Sequence, residues 1–152
     1  MMTHALTLAQ EAADRGEVPV GAVVYETQTG KILGEGSNTR ECDKNPSGHA
    51  EFTAILNACK NINDWRLNHC TLIVTLEPCP MCSGLIVNAR LGRVVYGASD
   101  PKAGAVRSLY QICDDSRLNH RSAIIPGVMA PESSQLLKSF FKQLRAPQSK
   151  EN

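Results

Sequence analysis

The sequence predicts an α/β fold: a mixed central sheet with helices on both faces, a three-layer α/β/α sandwich. Stretches of strand character alternate along the chain with stretches of helical period, the pattern of helices layered on a sheet. The run from Thr71 to Leu76 is continuously apolar, as suits a buried strand. Two more strand-like runs, Val18 to Tyr25 and Ile32 to Ser37, flank the turn Thr27-Gln28-Thr29-Gly30 and read as a hairpin.

Taken in order, the first element is a helix. Ala5, Leu8, Ala9, Ala12 and Ala13 recur at helical spacing, and Gly16 supplies the stop. The hairpin follows, then a polar segment from Asn38 to Gly48 broken by Pro46 and Gly48. From His49 to about Asn61 the helical period returns, with Phe52, Ile55, Leu56 and Cys59 on the apolar face. Trp65 and Leu67 lead into the buried strand, after which Cys79 and Cys82 open a helix reaching about Arg90. Arg93 to Tyr96 is a short strand, Gly97 to Gly104 a loop of small residues, Ser108 to Cys113 a short helix, and Ala123 to Ile125 a last strand. Pro131 starts a helix whose apolar face is Leu136, Leu137, Phe140, Phe141 and Leu144.

The 152 residues, 42% of them hydrophobic, suit one domain over 1–146 with a frayed tail at 147–152. A domain of that length buries roughly 70% of its unfolded surface. A net charge of +1 gives no bulk attraction to nucleic acid, so any such contact rests on a local patch. No apolar run approaches the ~20 residues of a membrane span. Six cysteines without a leader-like N-terminus suit a reducing cytoplasm better than a disulfide framework. Cys42, Cys59, Cys70 and Cys113 read as small, partly buried residues.

The chemistry gathers in His49-Ala50-Glu51 and Pro78-Cys79-Pro80-Met81-Cys82. One imidazole and two thiolates suit a tetrahedral zinc ion, one per chain, with its fourth position left to water whose pKa falls to about 7. Glu51 lies two residues past His49, where it can move that water's protons without binding the metal. Both ligand groups fall at helix starts, where free N–H groups and the helix dipole favour a carboxylate and lower thiol pKa values. A closed structural zinc would need a second C-x-x-C or an H-x-H, which the sequence lacks, and a redox pair would not need His49 and Glu51. The Gly97–Gly104 loop lacks the G-x-x-x-x-G-K-[ST] phosphate motif, so its glycines read as tight turns.

H-x-E followed by P-C-x-x-C is the signature of zinc-dependent nucleobase deaminases. Around it, the blocks from Gly16 to Ala22, Gly36 to Asn38, Thr75 to Cys82, Arg93 to Ala98 and Asn119 to Arg121 resemble the bacterial tRNA-specific adenosine deaminases of the cytidine-deaminase superfamily. The resemblance runs from about Met2 to Arg145 and implies a cytidine-deaminase-like fold. It implies hydrolysis of the wobble adenosine of a tRNA anticodon loop to inosine with release of ammonia, by a homodimer whose two subunits both contact RNA. His49, Cys79 and Cys82 would bind zinc and Glu51 would shuttle protons.

The resemblance further implies that Asn38 hydrogen-bonds the flipped-out base, that Asp100 and Lys102 touch the anticodon backbone, and that His120 and Arg121 belong to the substrate surface. Plainer readings stand beside these: Asn38 as the cap of a turn, Asp100 and Lys102 as a solvated loop, His120 as an ordinary surface histidine. Lys138, Lys142, Arg145 and Lys150 either grip phosphates or complement a helix C-terminus, and Phe140 and Phe141 line either the core or an RNA cleft. Arg107 departs from the small residue that many members carry after Gly104. Two rival functions share the pattern. One is deamination of a free base or nucleoside such as guanine, cytosine or cytidine. The other is a zinc-bearing RNA-binding or scaffold subunit without turnover, against which the presence of Glu51 speaks.

Overall fold

The structure is a computed structural model and describes residues 1–147, so most of the expected frayed tail, Lys150 included, lies outside the described residues. The elements are α1 (Met2–Asp14), β1 (Gly21–Glu26), β2 (Ile32–Ser37), α2 (Ala50–Ile62), β3 (Cys70–Leu76), α3 (Pro80–Asn88), β4 (Arg93–Ala98), β5 (Ala123–Ile125) and α4 (Ala130–Arg145). The strands form one sheet in the order β2-β1-β3-β4-β5. β1 runs antiparallel to β2 and β3, while β3, β4 and β5 are parallel, which makes the sheet mixed, as expected.

Alternate strand positions face opposite layers. Val23, Ile73 and Val95 pack with Met2 and Ala5 of α1 and with Val128 and Met129 just before α4. Ala22, Val24, Leu72, Val74, Val94 and Tyr96 face the other way, in the same cluster as Ala54, Ile55 and Ala58 of α2 and Ile86 of α3. Helices therefore cover both faces. Six of the seven residues of β3 are buried, which accounts for its continuous apolar run.

α2 buries a different stripe from the one its large residues suggest. Ala50, Glu51, Ala54, Ile55 and Ala58 are buried, whereas Leu56 is 50% exposed. The reason lies in β2, where Gly34 and Gly36 let the helix backbone come so close that only small residues fit between. A Cβ on Gly36 would collide with the carbonyl oxygen of Ala50 and stand 2.9 Å from the Ala54 nitrogen. Gly36→Ala is therefore expected to cost about 1–3 kcal/mol by overpacking, a fall of roughly 2–12 °C in Tm. Gly84, inside α3, is the control, because a Cβ added there would meet no atom within 4 Å. Gly84→Ala should raise stability by up to about 1 kcal/mol; thermal melts that moved equally for both variants would reject the close-approach account.

Three further expectations are corrected. The strand expected from Val18 begins at Gly21, because Val20 N–H turns back to the Val18 carbonyl across Pro19. No helix forms over Ser108 to Cys113: Leu109 and Ile112 donate to the carbonyls of Gly104 and Ala105, farther back than the four residues of an α-helical turn. α4 leaves much of its apolar face open, with Phe141 39% and Leu144 68% exposed. Its 16 residues span about 24 Å, more than the about 20 Å of β4 beneath it, and residues 141–145 are all exposed.

Candidate metal and substrate site

β2, β3 and β4 all point the same way and β1 the opposite way, so the ends of β2, β3 and β4 and the start of β1 meet at one edge of the sheet. The connections from β2 to α2 and from β3 to α3 cross there, each closing on a metal-type ligand. His49 is the N-cap residue of α2 and Cys79 that of α3, both extended, and neither side chain bonds its helix. N-cap side chains ordinarily satisfy a free helix N–H. Here both are released from that task and turned toward each other. Cys82 follows on the first turn of α3 and is buried.

His49 Nδ1 lies 3.5 Å from the sulfurs of both Cys79 and Cys82. The three ligand atoms lie within 4.8 Å of one another and form a group that can hold a metal ion. Atoms bound at about 2.0–2.3 Å to one tetrahedral zinc stand roughly 3.5 Å apart, so spacing and donor chemistry both fit. Glu51, on the first turn of α2, is 4% exposed and its Oε2 lies 3.6 Å from Cys82 Sγ.

Electrostatics divide these groups. The Cys82 thiol and the His49 ring hydrogen-bond Cys79 and hold its thiol down to about 4, against the opposing effect of burial. Cys82 is pushed up, first by its closeness to Cys79 and then by burial and by the Glu51 carboxyl to which its thiol donates. Hydrogen bonding to Cys79 raises His49 in spite of its partial burial. Burial pushes the Glu51 carboxyl up to about 7, against the pull of its own backbone N–H and of His49. A carboxyl so poised both takes and gives a proton near neutral pH.

Above this group is a cavity of about 180 Å³ whose walls include Val18, Val20, Asn38, Arg40, Leu76 and Ala103. Asn38 caps a turn and also lines the cavity. Its Oδ1 accepts the Arg40 N–H at 3.0 Å, capping the turn, while its amino group has no protein acceptor among the described residues and the residue lines the cavity. Asp100 also lines the cavity, with Oδ1 accepting the N–H groups of Lys102 at 3.0 Å and Ala103 at 3.3 Å. Lys102 is exposed and outside the lining.

His120 and Arg121 are not brought to the cavity. The His120 ring bonds the Leu91 carbonyl at 2.6 Å, beside the start of β4, whereas the site lies past the end of that strand. Arg121 Nε donates to the Asp114 carbonyl. Lys138, Lys142 and Arg145 lie on α4, and Cys42 is exposed instead of partly buried.

Sequence reasoning missed the residues that hold the two walls. Glu17 is 1% exposed and accepts the backbone N–H groups of Glu41 at 3.2 Å and Cys42 at 2.6 Å, tying down the loop that carries Asn38 and Arg40. Burial alone would raise its carboxyl, but those N–H groups leave it below the usual range. Glu77 does the same for the loop after β4. Burial acts to raise its carboxyl too, and Ser108 together with the loop amides leaves it lowered. For Glu77 the available signal was a carboxylate placed directly after an apolar strand, where charge is rare unless it is paired.

Comparison with known proteins gives the same picture. The family model of MafB19-like deaminases matches residues 1–145. The tRNA-specific adenosine deaminase of Haemophilus influenzae is 46% identical over 145 residues, covering 95% of this chain and 83% of its own. A solved structure from work on A-to-I editing by tRNA:A34 deaminases at the wobble position of transfer RNA superposes with a TM-score of 0.84 at 37% identity, covering 90% of this chain and 97% of that one. The guanine deaminase of Bacillus subtilis superposes less closely, with a TM-score of 0.62 at 32% identity, covering 99% of this chain and 95% of its own.

Proposed function

Because this chain belongs to the MafB19-like deaminases and, at 46% identity over 95% of its length, to the tRNA-specific adenosine deaminases, we propose that it hydrolyses the wobble adenosine of a tRNA anticodon loop to inosine and ammonia. The observation that carries the chemistry is Glu51, buried, lining the cavity with His49 and Cys79 and 3.6 Å from Cys82, the third member of the His-Cys-Cys group. His49, Cys79 and Cys82 hold one zinc ion per subunit in this reading. Zinc bound there acts as a Lewis acid that makes water available as a nucleophile at neutral pH.

The protein's own groups do the rest. Glu51 takes one proton from the attacking water and delivers it to N1 of adenine as C6 is attacked, then takes the proton of the new C6 hydroxyl and gives it to the amino group, which departs as ammonia as the C6 carbonyl forms. Asn38 offers its free amino group to the base edge, with its oxygen engaged by Arg40 N–H so that the carboxamide cannot turn. A cavity of about 180 Å³ suits one flipped base and leaves ribose and phosphates at the mouth. Asp100 shapes the wall, and Lys102, exposed beside it, reaches phosphate outside. His120 and Arg121, bonded to backbone elsewhere, stand outside this set. The protein acts in the cytoplasm as a homodimer in this reading, and among the described residues no helix is long and apolar enough to cross a membrane.

The test is nucleoside analysis of an adenosine-containing anticodon stem-loop after incubation with zinc-loaded protein, with free adenosine, cytidine, cytosine and guanine beside it. Inosine in the stem-loop alone is the expected result. Product only from a free base or nucleoside would overturn the substrate and keep the chemistry; no product from any of them would leave a binding subunit.

A further inference from the structure

We propose that Glu77 is the positioning residue of the substrate wall: its buried carboxylate fixes where the loop from Asp100 to Ser108 stands over the cavity. Glu77 is 2% exposed, at the end of the central strand and next to Pro78-Cys79. Its Oε2 accepts the backbone N–H groups of Val106 at 3.1 Å, Arg107 at 2.9 Å and Ser108 at 3.0 Å. Its Oε1 accepts the Asp100 N–H at 3.1 Å and the Ser108 hydroxyl at 2.5 Å.

Both ends of the loop thus converge on a single side chain. No side-chain cation within salt-bridge reach shares the charge among the described residues; the Arg107 guanidinium turns to Asp114 instead, at 2.9 and 3.0 Å. Oriented backbone N–H groups stabilise the carboxylate, so the loop must keep its shape for the charge to stay buried. Gly104 belongs to the same device, since a Cβ there would collide with the Glu77 carboxylate. Of the loop's contribution to the cavity, Asp100 is itself one clamped end and Ala103 lies between the two.

This role rests on the reading of the cavity as a nucleotide site, and it predicts an effect on substrate engagement more than on the chemical step. A glutamine at 77 keeps one acceptor oxygen and turns an NH2 group against N–H donors, which releases one end of the loop. For Glu77→Gln the expected result is zinc at one per subunit, kcat on the anticodon stem-loop within about threefold, and KM raised about tenfold or more, the loss of roughly one good contact. Backbone amide exchange at Asp100 and at Val106 to Ser108 should quicken. Ser108→Ala removes only the hydroxyl donor and should shift KM the same way by less, which keeps the test available if Glu77→Gln folds poorly. Unchanged KM in both variants would overturn the proposal. So would loss of zinc and kcat together at constant KM, which would mark Glu77 as a support of the ligand turn alone. If the wild type makes no inosine in the stem-loop, the functional reading fails by itself. Amide exchange then decides the clamp: faster exchange with zinc retained supports it, and unchanged exchange overturns it.

Discussion

Glu51→Gln is expected to leave fold and metal in place and to lower inosine formation by about 10²–10⁴-fold, the usual contribution of a positioned acid–base group. Glutamine matches the carboxylate in shape, so packing around α2 is undisturbed. It cannot carry a proton. Stability moves the opposite way in metal-free protein. A carboxyl raised to about 7 from 4.5 contributes stability that is complete below 4.5 and is lost as pH climbs through 7. Removing it should therefore matter little to the melt in acid and raise Tm above neutrality. Zinc analysis, melting curves and single-turnover inosine formation check the three parts; near-normal turnover with zinc bound would remove Glu51 from its role.

The grouping of the residues proposed for this chemistry was legible because their geometry is local. His49 and Glu51 share one helix start, Cys79 and Cys82 another, and placing both after strands that run the same way is enough to bring them together. The sheet was legible for a similar reason: a strand covered on both faces has to be apolar throughout, as β3 is. What escaped was set by distant partners. The stripe that α2 buries is chosen by Gly34 and Gly36 on another element, and a periodicity built on Phe52, Ile55, Leu56 and Cys59, of which only Ile55 is fully buried, cannot register them. Ser108 to Cys113 has helical composition, but hydrogen bonds to Glu77, Gly104 and Ala105 fix a wider turn. His120 and Arg121 point to the substrate by resemblance, whereas their side chains bond the Leu91 and Asp114 carbonyls.

Cys82→Ala should take zinc from one per subunit to near none and inosine below detection, with the fold retained. Two protein ligands, His49 and Cys79, do not hold a catalytic zinc that needs three. Excess zinc should not restore activity, because the third protein ligand is gone. Helix stability is a separate matter. Neither N-cap side chain in the group bonds its own helix, so emptying the site removes no cap from α2 or α3, and the deleted sulfur leaves a small void worth about 1 kcal/mol. Far-ultraviolet circular dichroism should match the wild type while metal analysis does not. An unfolded variant would instead make the metal a structural staple between two helices, and a variant still holding one zinc would mean that the ligand set is wrong.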